Sequence, residues 1–596
     1  MLIILLIAGA AGFFALAYRF YGRYLARAFG LDDARPTPAH TQADGADFVP
    51  AGAGYLLSQH FSAIAAAGPV VGPIAAGLMF GWFPAFLWIL LGAVFVGGVH
   101  DLAALVASVR HKARSLAEVV REHMSPRAHT LFLLFVWLTL IYVIIAFTDV
   151  TATAFVKNLS DSQLDGATAA GAEAARAVRG ADVAGASFLY LLLPILMGLV
   201  LKLTGISGKK AAFIFVPLIF VCIWAGKFVP IDIAGKFFAG LAPADAERAA
   251  QKSWDIILLA YCGVAALLPM WLLLQPRGFL GGFFLYITLA VSAVGILAGC
   301  WGAAAPVAVL YPAFTGLCNP QGQFLYPVLF VTVACGACSG FHALVASGTT
   351  SRQLTCETDA RPVAYGGMLL EGLVALVALA TLMMLTTGQA KQFGGSPNLI
   401  YAHGIAQFLG IFSGNAEFRN LAMTFGLLAF ATFVYDTLDV STRLGRYILQ
   451  ELTGLSGKTG AVLATLGTLL PAAFFVTANL TNPATGKSVP AWSYFWPLFG
   501  TSNQLLAAMT LLVVTVWLRR TGRPWLFAAI PMLFMLAVTL TSLTQIILDG
   551  IRSLRAARPV LHYSLPVAGV LLVLALFVAF EAVGALRRHT APGGKP

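Results

Sequence analysis

The sequence predicts an all-α, polytopic membrane protein with about 15 transmembrane helices, and three observations carry that prediction. Hydrophobic residues make up 59% of the 596-residue chain and charged residues only 10%, against roughly 25% charged in ordinary globular proteins. A water-facing surface cannot be built from that composition. Apolar runs long enough to cross a hydrocarbon core of roughly 30 Å recur along the whole chain. The remaining charges lie mainly in the short segments between those runs.

Read in order, the runs place spans near 2–24, 60–80, 84–109, 128–150, 187–204, 209–226, 254–274, 279–300, 323–350, 361–386, 417–448, 459–476, 492–518, 523–548 and 562–586. The first starts without a basic leader and is followed by Arg19, Arg23 and Arg27. That pattern reads as a retained helix with its N-terminus outside, not as a cleaved signal. Threading back and forth from there puts Arg110/Lys112/Arg114, Lys209/Lys210, Arg277, Arg352, Arg443/Arg446, Arg519/Arg520 and Arg587/Arg588 on one side. About 24 of the 37 Lys and Arg then share that face, which the positive-inside rule makes cytoplasmic. The expected location is the cell inner (plasma) membrane, multi-pass, N-terminus out and C-terminus in. Arg552/Arg555/Arg558 is the exception on the outer side. The net charge of +12 reflects these orientation signals and lacks the aromatic interleaving of a nucleic-acid surface. The 157–186 segment is too charged to insert, and its composition predicts a small external helix. Ser115 to Met124 is amphipathic with basic ends and is expected along the inner membrane surface.

In lipid every backbone polar group needs a partner within the protein, so glycine and proline at mid-membrane depth mark special backbone. Gly68-Pro69-Val70-Val71-Gly72-Pro73 lies in the middle of span 60–80. Its prolines remove backbone donors and its glycines permit unwinding. This predicts a discontinuous helix whose half-helix end holds a small ligand; the plainer reading is a proline kink with close packing. Cys335-Gly336-Ala337-Cys338-Ser339-Gly340-Phe341-His342, followed by Ser347-Gly348-Thr349-Thr350, disturbs span 323–350. Small residues there either line an ion or substrate path with hydroxyls or form a close helix seam. Pro269 marks a weaker break. Pro497 precedes Asn503 and Gln504, whose amides either satisfy freed backbone or face a ligand. Cys335 and Cys338 with His342 are too few for a metal site, and the seven cysteines read as small buried hydrophobes.

Charges inside a bilayer are costly and mark function. Asp101, His342, Glu371 and Asp436 each lie about seven to ten residues from the basic inner end of their span, a shared layer roughly 10–15 Å deep. Asp439 has helical spacing to Arg443 and reads as one half of a structural ion pair. Asp101 and Asp436 have no such partner in sequence and are the candidates for ion or proton coupling. His342 is either a proton-exchanging group or a hydrogen-bonded core histidine. Asp149 is expected to be solvated near the outer end of its span. No Ser/His/Asp or His-Glu-x-x-His arrangement points to an enzyme, so no catalytic residue and no metal are expected.

With those residues in view, the chain resembles the carbon starvation protein A (CstA) family of membrane transporters. The matching stretches are His60-Phe61-Ser62 with Gly68 to Pro73, Gly98-Val99-His100-Asp101 with Ser108-Val109-Arg110, and Trp271 to Arg277. They continue with Ala334 to His342, Ser347 to Thr350, Leu438 to Leu444, and Trp496 to Gln504. The resemblance covers most of the chain from about residue 55 to 510 and is weakest in the last two or three helices.

The resemblance implies a carrier linked to nutrient scavenging in carbon starvation, with short peptides as the usual substrate and pyruvate–proton symport as the alternative. It further implies a LeuT-like core of two inverted five-helix repeats plus additional N- and C-terminal helices. The broken first and sixth core helices would be spans 60–80 and 254–274, and span 323–350 the eighth. The resulting division is 1–50 for the N-terminal helix and linker, 51–450 for the transport core and 451–596 for additional helices. Substrate would be held by Gly68, Pro69, Val70, Gly72, Pro73, Gly336, Ser339 and Asn503. Coupling of H⁺ or Na⁺ would fall to Asp101, His342, Ser347, Thr349, Thr350 and Asp436. The expected partners are a small-molecule substrate and the lipid bilayer, with no cofactor and no nucleic acid; the sequence specifies no oligomeric state. A passive channel is the weaker rival, since no continuous row of charges suggests a pore.

Overall fold

Lipid leaves the backbone no hydrogen-bonding partner but itself, so the apolar runs fold as helices. A computed structural model describes residues 2–44, 48–158, 179–299, 307–413, 415–481, 488–555 and 563–589. The external helix expected in 157–186 lies mostly outside these residues, as does Arg558. The principal helices are α1 (Leu2–Phe29), α2 (Ala53–Ile64), α3 (Gly68–Phe80), α4 (Trp82–Gly92), α5 (Gly98–Arg110), α6 (Leu116–His123), α7 (Pro126–Val156), α8 (Gly180–Thr204), α9 (Gly208–Gly226) and α10 (Pro243–Leu267). They continue with α11 (Leu274–Gly299), α12 (Leu325–Thr332), α13 (Phe341–Gly348), α14 (Gly367–Met383), α15 (Pro397–Leu409), α16 (Ala416–Thr453), α17 (Gly457–Thr477), α18 (Ala491–Arg520), α19 (Leu526–Arg555) and α20 (Ser564–His589). Isolated bridges are the only β pairing among the described residues.

Local sequence sets the helix ends. Ser125 accepts a hydrogen bond from Ala128 N, and Pro126 starts α7 where a missing N–H has no consequence. Asn415 caps α16 through Glu417 N, and the helix runs 38 residues before Gly454 turns it off at φ 73°. The amphipathic α6 is where the sequence placed an inner-surface helix, with Leu116, Ala117, Val119 and Val120 as its buried face.

Eleven helices among the described residues are long and apolar enough to span a bilayer, or twelve if α2 and α3, bent by 44°, count as one span. Three of the expected spans fall short of that standard. Helix α9 is short, span 254–274 is part of the charged α10, and span 323–350 is split into the eight-residue α12 and α13. Helix α10 begins at Pro243, well before 254, because Asp245, Glu247 and Arg248 lie in its first turns. It stops at Leu267, just before Pro269, and α11 restarts at Leu274. Helix α15 was not anticipated: at 13 residues it is too short to register as a span, yet nearly all of it is buried.

Enclosure sorts the helices into an inner bundle and a rim. The apolar stretches of α18 and α16 are 100% and 94% buried, whereas those of α1 and α20 are 22% and 33% buried and turn Leu5, Leu16, Phe20 and Phe580 outward. Outward leucine and phenylalanine are stable facing lipid, not water.

At the centre, backbones touch where glycine removes the side chain. A Cβ on Gly72 would lie 2.6 Å from Thr332 O, and one on Gly68 would lie 2.1 Å from Cys335 Sγ and 2.3 Å from its Cβ. The two interrupted helices therefore lean directly on each other. Gly68→Ala is expected to lower the melting temperature of the purified protein, and Cys335→Gly in the same chain to restore it by returning the lost space. Gly72→Ala, which meets backbone, should not be rescued by Cys335→Gly; rescue of both would show that the contact is misplaced.

Candidate functional site

The first break is real but sits slightly earlier than the glycine–proline stretch itself. Helix α2 ends at Ile64, Ala65 to Ala67 are irregular, and α3 starts at Gly68 with Pro69 in its first turn. Gly68, Pro69, Val70, Gly72 and Pro73 are thus helical rather than unwound, and all five are buried. Proline is tolerated at a first turn because its absent N–H would have had no partner. Val70 N and Val71 N both return to Ala67 O, at 3.1 and 2.8 Å, so these two donors are used inside the turn.

The second break lies between Thr332 and Phe341, and α18 holds it in place. The Asn503 Oδ1 atom accepts from Phe341 N at 2.9 Å and from Ser339 Oγ at 3.3 Å. Its Nδ2 faces Ser339 Oγ at 3.0 Å and Cys335 Sγ at 3.6 Å, and Asn503 O accepts from Gly340 N at 3.1 Å. Gln504 Nε2 donates to Phe330 O near the end of α12. Adjacent amides on one helix therefore satisfy backbone on both sides of the break, the first of the two roles the sequence allowed. Gly336 packs where a Cβ would lie 2.5 Å from that of Ala375.

Three residues of the expected charge layer meet here. His342 is in the first turn of α13; its Nδ1 lies 2.7 Å from Asp101 Oδ2 on α5, and its Nε2 lies 3.0 Å from Glu371 Oε2 on α14. The second approach is close but off the hydrogen-bonding line. All three side chains are fully enclosed. The other Asp101 oxygen lies 2.7 Å from His100 Nδ1. An imidazole between two carboxylates can pass a proton to either, or hold one on each nitrogen. Each carboxylate helix opens with a π-helical segment: Ala93–Gly97 runs into α5, and Arg361–Gly366 into α14. Such wide turns are frequent at functional sites. The hydroxyls of Ser347 and Thr349 donate to Ala343 O and Val345 O of their own helix, at 2.7 and 3.0 Å. Thr350 Oγ1 instead pairs with His60 Nδ1 at 2.8 Å. Beside Thr349 a narrow cleft is lined by Met270, Leu274, Arg352, Arg443 and Tyr447.

Asp436 belongs to a second network. Ser62 Oγ donates to its Oδ2 at 2.5 Å, and Arg277 Nε lies 3.5 Å from its Oδ1. The Arg277 guanidinium also contacts Asp439, Tyr261 Oη and Tyr435 O. Asp439 therefore pairs with Arg277 and not with Arg443, as its spacing had suggested. Arg443 Nη2 turns to Ala265 O and Leu268 O at the frayed end of α10, where carbonyls have lost their helical partners. Asp436 is not unpartnered, and neither is Asp101. Asp149 is buried rather than solvated: it accepts from Gln251 Nε2 at 2.6 Å and from Trp492 N at 2.7 Å, with buried Asp255 beside it. His60, Ser62, His100, Asp255 and Arg277 were not in the sequence-derived site. Four of them lie within stretches that resemble the family, and all five are polar groups inside apolar helices, which was the available signal.

Interrupted helices packed on one another, with enclosed ionisable groups between them, are the architecture of a membrane transport protein. The family model for carbon starvation protein CstA matches residues 2–400 and 389–542. The chain belongs to that family. A peptide transporter CstA of Helicobacter pylori is 32% identical over 602 residues, covering 90% of this chain and 81% of the relative. The peptide transporter CstA of Bacillus subtilis is 31% identical, covering 84% and 82%. The pyruvate/proton symporter BtsT of Escherichia coli is 28% identical, covering 90% and 80%. A manganese transporter mutant from Eremococcus coleocola aligns over 92% of this chain and 99% of its own at 13% identity, with a TM-score of 0.42, too low to carry a fold assignment.

Removing one side of a buried ion pair leaves an uncompensated charge, at a cost of about 3–5 kcal/mol. Arg277→Gln is therefore expected to destabilise the protein strongly, and Asp436→Asn with Asp439→Asn in the same chain to recover most of the loss. Equal thermal stability of wild type and Arg277→Gln in detergent would rule out this network.

Proposed function

We propose that the protein is an ion-coupled secondary transporter that imports short peptides by alternating access, around a site where the break at Ala65–Ala67 meets the break at residues 333–340. The observation that carries this reading is the enclosed Asp101–His342–Glu371 chain, set at the head of the half-helix that follows the second break. H⁺ is the proposed coupling ion, because a histidine between carboxylates exchanges protons, whereas the Ser347 and Thr349 hydroxyls are directed at their own helix. Na⁺ is the alternative that the assay decides. Gly68, Pro69, Val70, Gly72, Pro73, Gly336, Ser339 and Asn503 form the wall of the proposed substrate site, with Asn503 shaping the backbone rather than grasping solute. Pyruvate–proton symport is the second reading, favoured by the likeness to a pyruvate/proton symporter.

The proposed architecture is an inverted-repeat core within 51–450, flanked by the N-terminal helix and linker of 1–50 and the C-terminal helices of 451–596, with about 15 membrane passes in all when short and broken spans are counted. The proposed orientation is N-terminus out, C-terminus in. Supporting a repeat, each of two broken helices (α2/α3 and α12/α13) is followed by a span that contains a π segment, within it after α2/α3 and at its start after α12/α13, and brings a carboxylate to His342.

The deciding experiment is uptake by proteoliposomes of labelled di- and tripeptides against labelled pyruvate, under separate pH and Na⁺ gradients. Asp101→Asn and Asp436→Asn are each expected to lower gradient-driven accumulation by roughly 5–150-fold, the span of a coupling energy of about 1–3 kcal/mol. For Asp101→Asn, gradient-free exchange should persist. Unchanged accumulation in both variants would dismiss the coupling role, and accumulation of pyruvate alone would move the assignment to the second reading.

A further inference from the structure

The chain turns at the inner end of α5 and returns as α6, and this corner gathers nitrogen and oxygen donors that the transport site does not use. His111 Nε2 lies 2.8 Å from His123 Nε2, and the two rings stand edge to face at 5.1 Å and 89°. A Glu122 carboxylate oxygen completes a group whose ligand atoms all lie within 4.8 Å of one another. The arrangement around His111 is that of a prepared ligand. Its Nδ1 lies 2.6 Å from Ala107 O, so the ring proton is held on Nδ1 and the Nε2 lone pair faces the group; metal-bound histidines are oriented by this kind of outer hydrogen bond. His123 lies on the interfacial helix. Lys112 and Ala113 both take left-handed backbone conformations, at φ 61° and 53°, an uncommon pair for residues with a Cβ. They keep the turn tight enough to set His111 against α6.

We propose that His111, Glu122 and His123 form a binding site for a divalent transition metal of the zinc class at the cytoplasmic corner between α5 and α6. Two imidazoles and a carboxylate match the donor set of a zinc centre with one open position. Tetrahedral bonds of about 2.0–2.1 Å would set the two nitrogens about 3.3 Å apart, so the rings need only part slightly from their present contact. The metal would tie three elements together: the end of α5, which carries Asp101; helix α6; and the end of α18, whose Arg520 already donates to His123 O at 2.7 Å. The His111 ring also stands 5.6 Å from that of Trp517 on α18. Occupancy would stiffen the inner end of the helix that presents the carboxylate to His342.

The test is Zn²⁺ binding to the purified full-length protein, by calorimetry and by the rise in melting temperature with added Zn²⁺. Wild type is expected to bind one equivalent with a clear rise. His111→Ala, His123→Ala and the fold-sparing surface change Glu122→Gln should each weaken binding by at least about tenfold, the lower bound for disturbing even an outer-shell partner of a metal. His129→Ala, which disrupts the separate His129–Glu118–Glu451 contacts, should leave binding intact. An ordinary hydrogen-bonded histidine pair predicts no Zn²⁺-dependent shift in wild type. That result, or binding lost in His129→Ala but kept in Glu122→Gln and His111→Ala, would overturn the site. None of these readouts depends on the transported solute.

Discussion

The constraint on which this structure depends is that a helix interrupted inside a bilayer must have its freed backbone groups met from within the protein. Asn503 and Gln504 meet it at the second break, where two consecutive side chains bind backbone on the far side of the gap and on the near side. At the first break the prolines reduce the problem by removing donors, and the remaining backbone is pressed against Thr332 and Cys335. At the third, Arg443 supplies a guanidinium to the carbonyls at the end of α10. Three interruptions are thus stabilised by three kinds of chemistry: an amide pair, direct backbone packing and a charged donor. Charged and hydrogen-bonded polar groups are stable in the bundle because α16 and α18 are almost completely enclosed by the rest of it.

Helix α2 connects the two charge networks. His60 pairs with Thr350, just beyond the half-helix that carries His342, while Ser62 donates to Asp436. The short stretch before the first break therefore reports to both. A rearrangement of the break that moves α2 would act on both contacts. Arg277 is similarly central: it joins the first turn of α11 to two carboxylates on α16 and a tyrosine on α10.

Much of this was legible in the sequence. The long apolar runs located the spanning helices, and Gly68 to Pro73 and Cys335 to His342 located two breaks to within a few residues. The common depth read for Asp101, His342, Glu371 and Asp436 held three residues that meet, while Asp436 joins a different network. What could not be read was partnership across helices. Asp439 has Arg443 at ideal spacing on its own helix, yet Arg277 reaches it from α11, because α10 ends nearby and its bare carbonyls draw Arg443 away. Asp149 looked solvated because burial by Gln251 and Trp492 is set by packing between α7, α10 and α18, which periodicity does not encode. Helix α15 was invisible for a related reason: a 13-residue buried helix carries no length signal.

The π segments ahead of Asp101 and Glu371 have a geometric consequence. Each holds one surplus residue compared with an α turn, and that residue is a store of rotation. Were a segment to tighten to α geometry, everything beyond it would turn by about 100° about the helix axis, the angle of a single residue in a 3.6-residue turn. A carboxylate on that helix would swing from facing His342 to facing a neighbour, with no hinge and no loss of regular backbone bonding. The two acids that flank the histidine are thus each carried beyond a π segment, so the direction in which each faces is set by that one surplus residue.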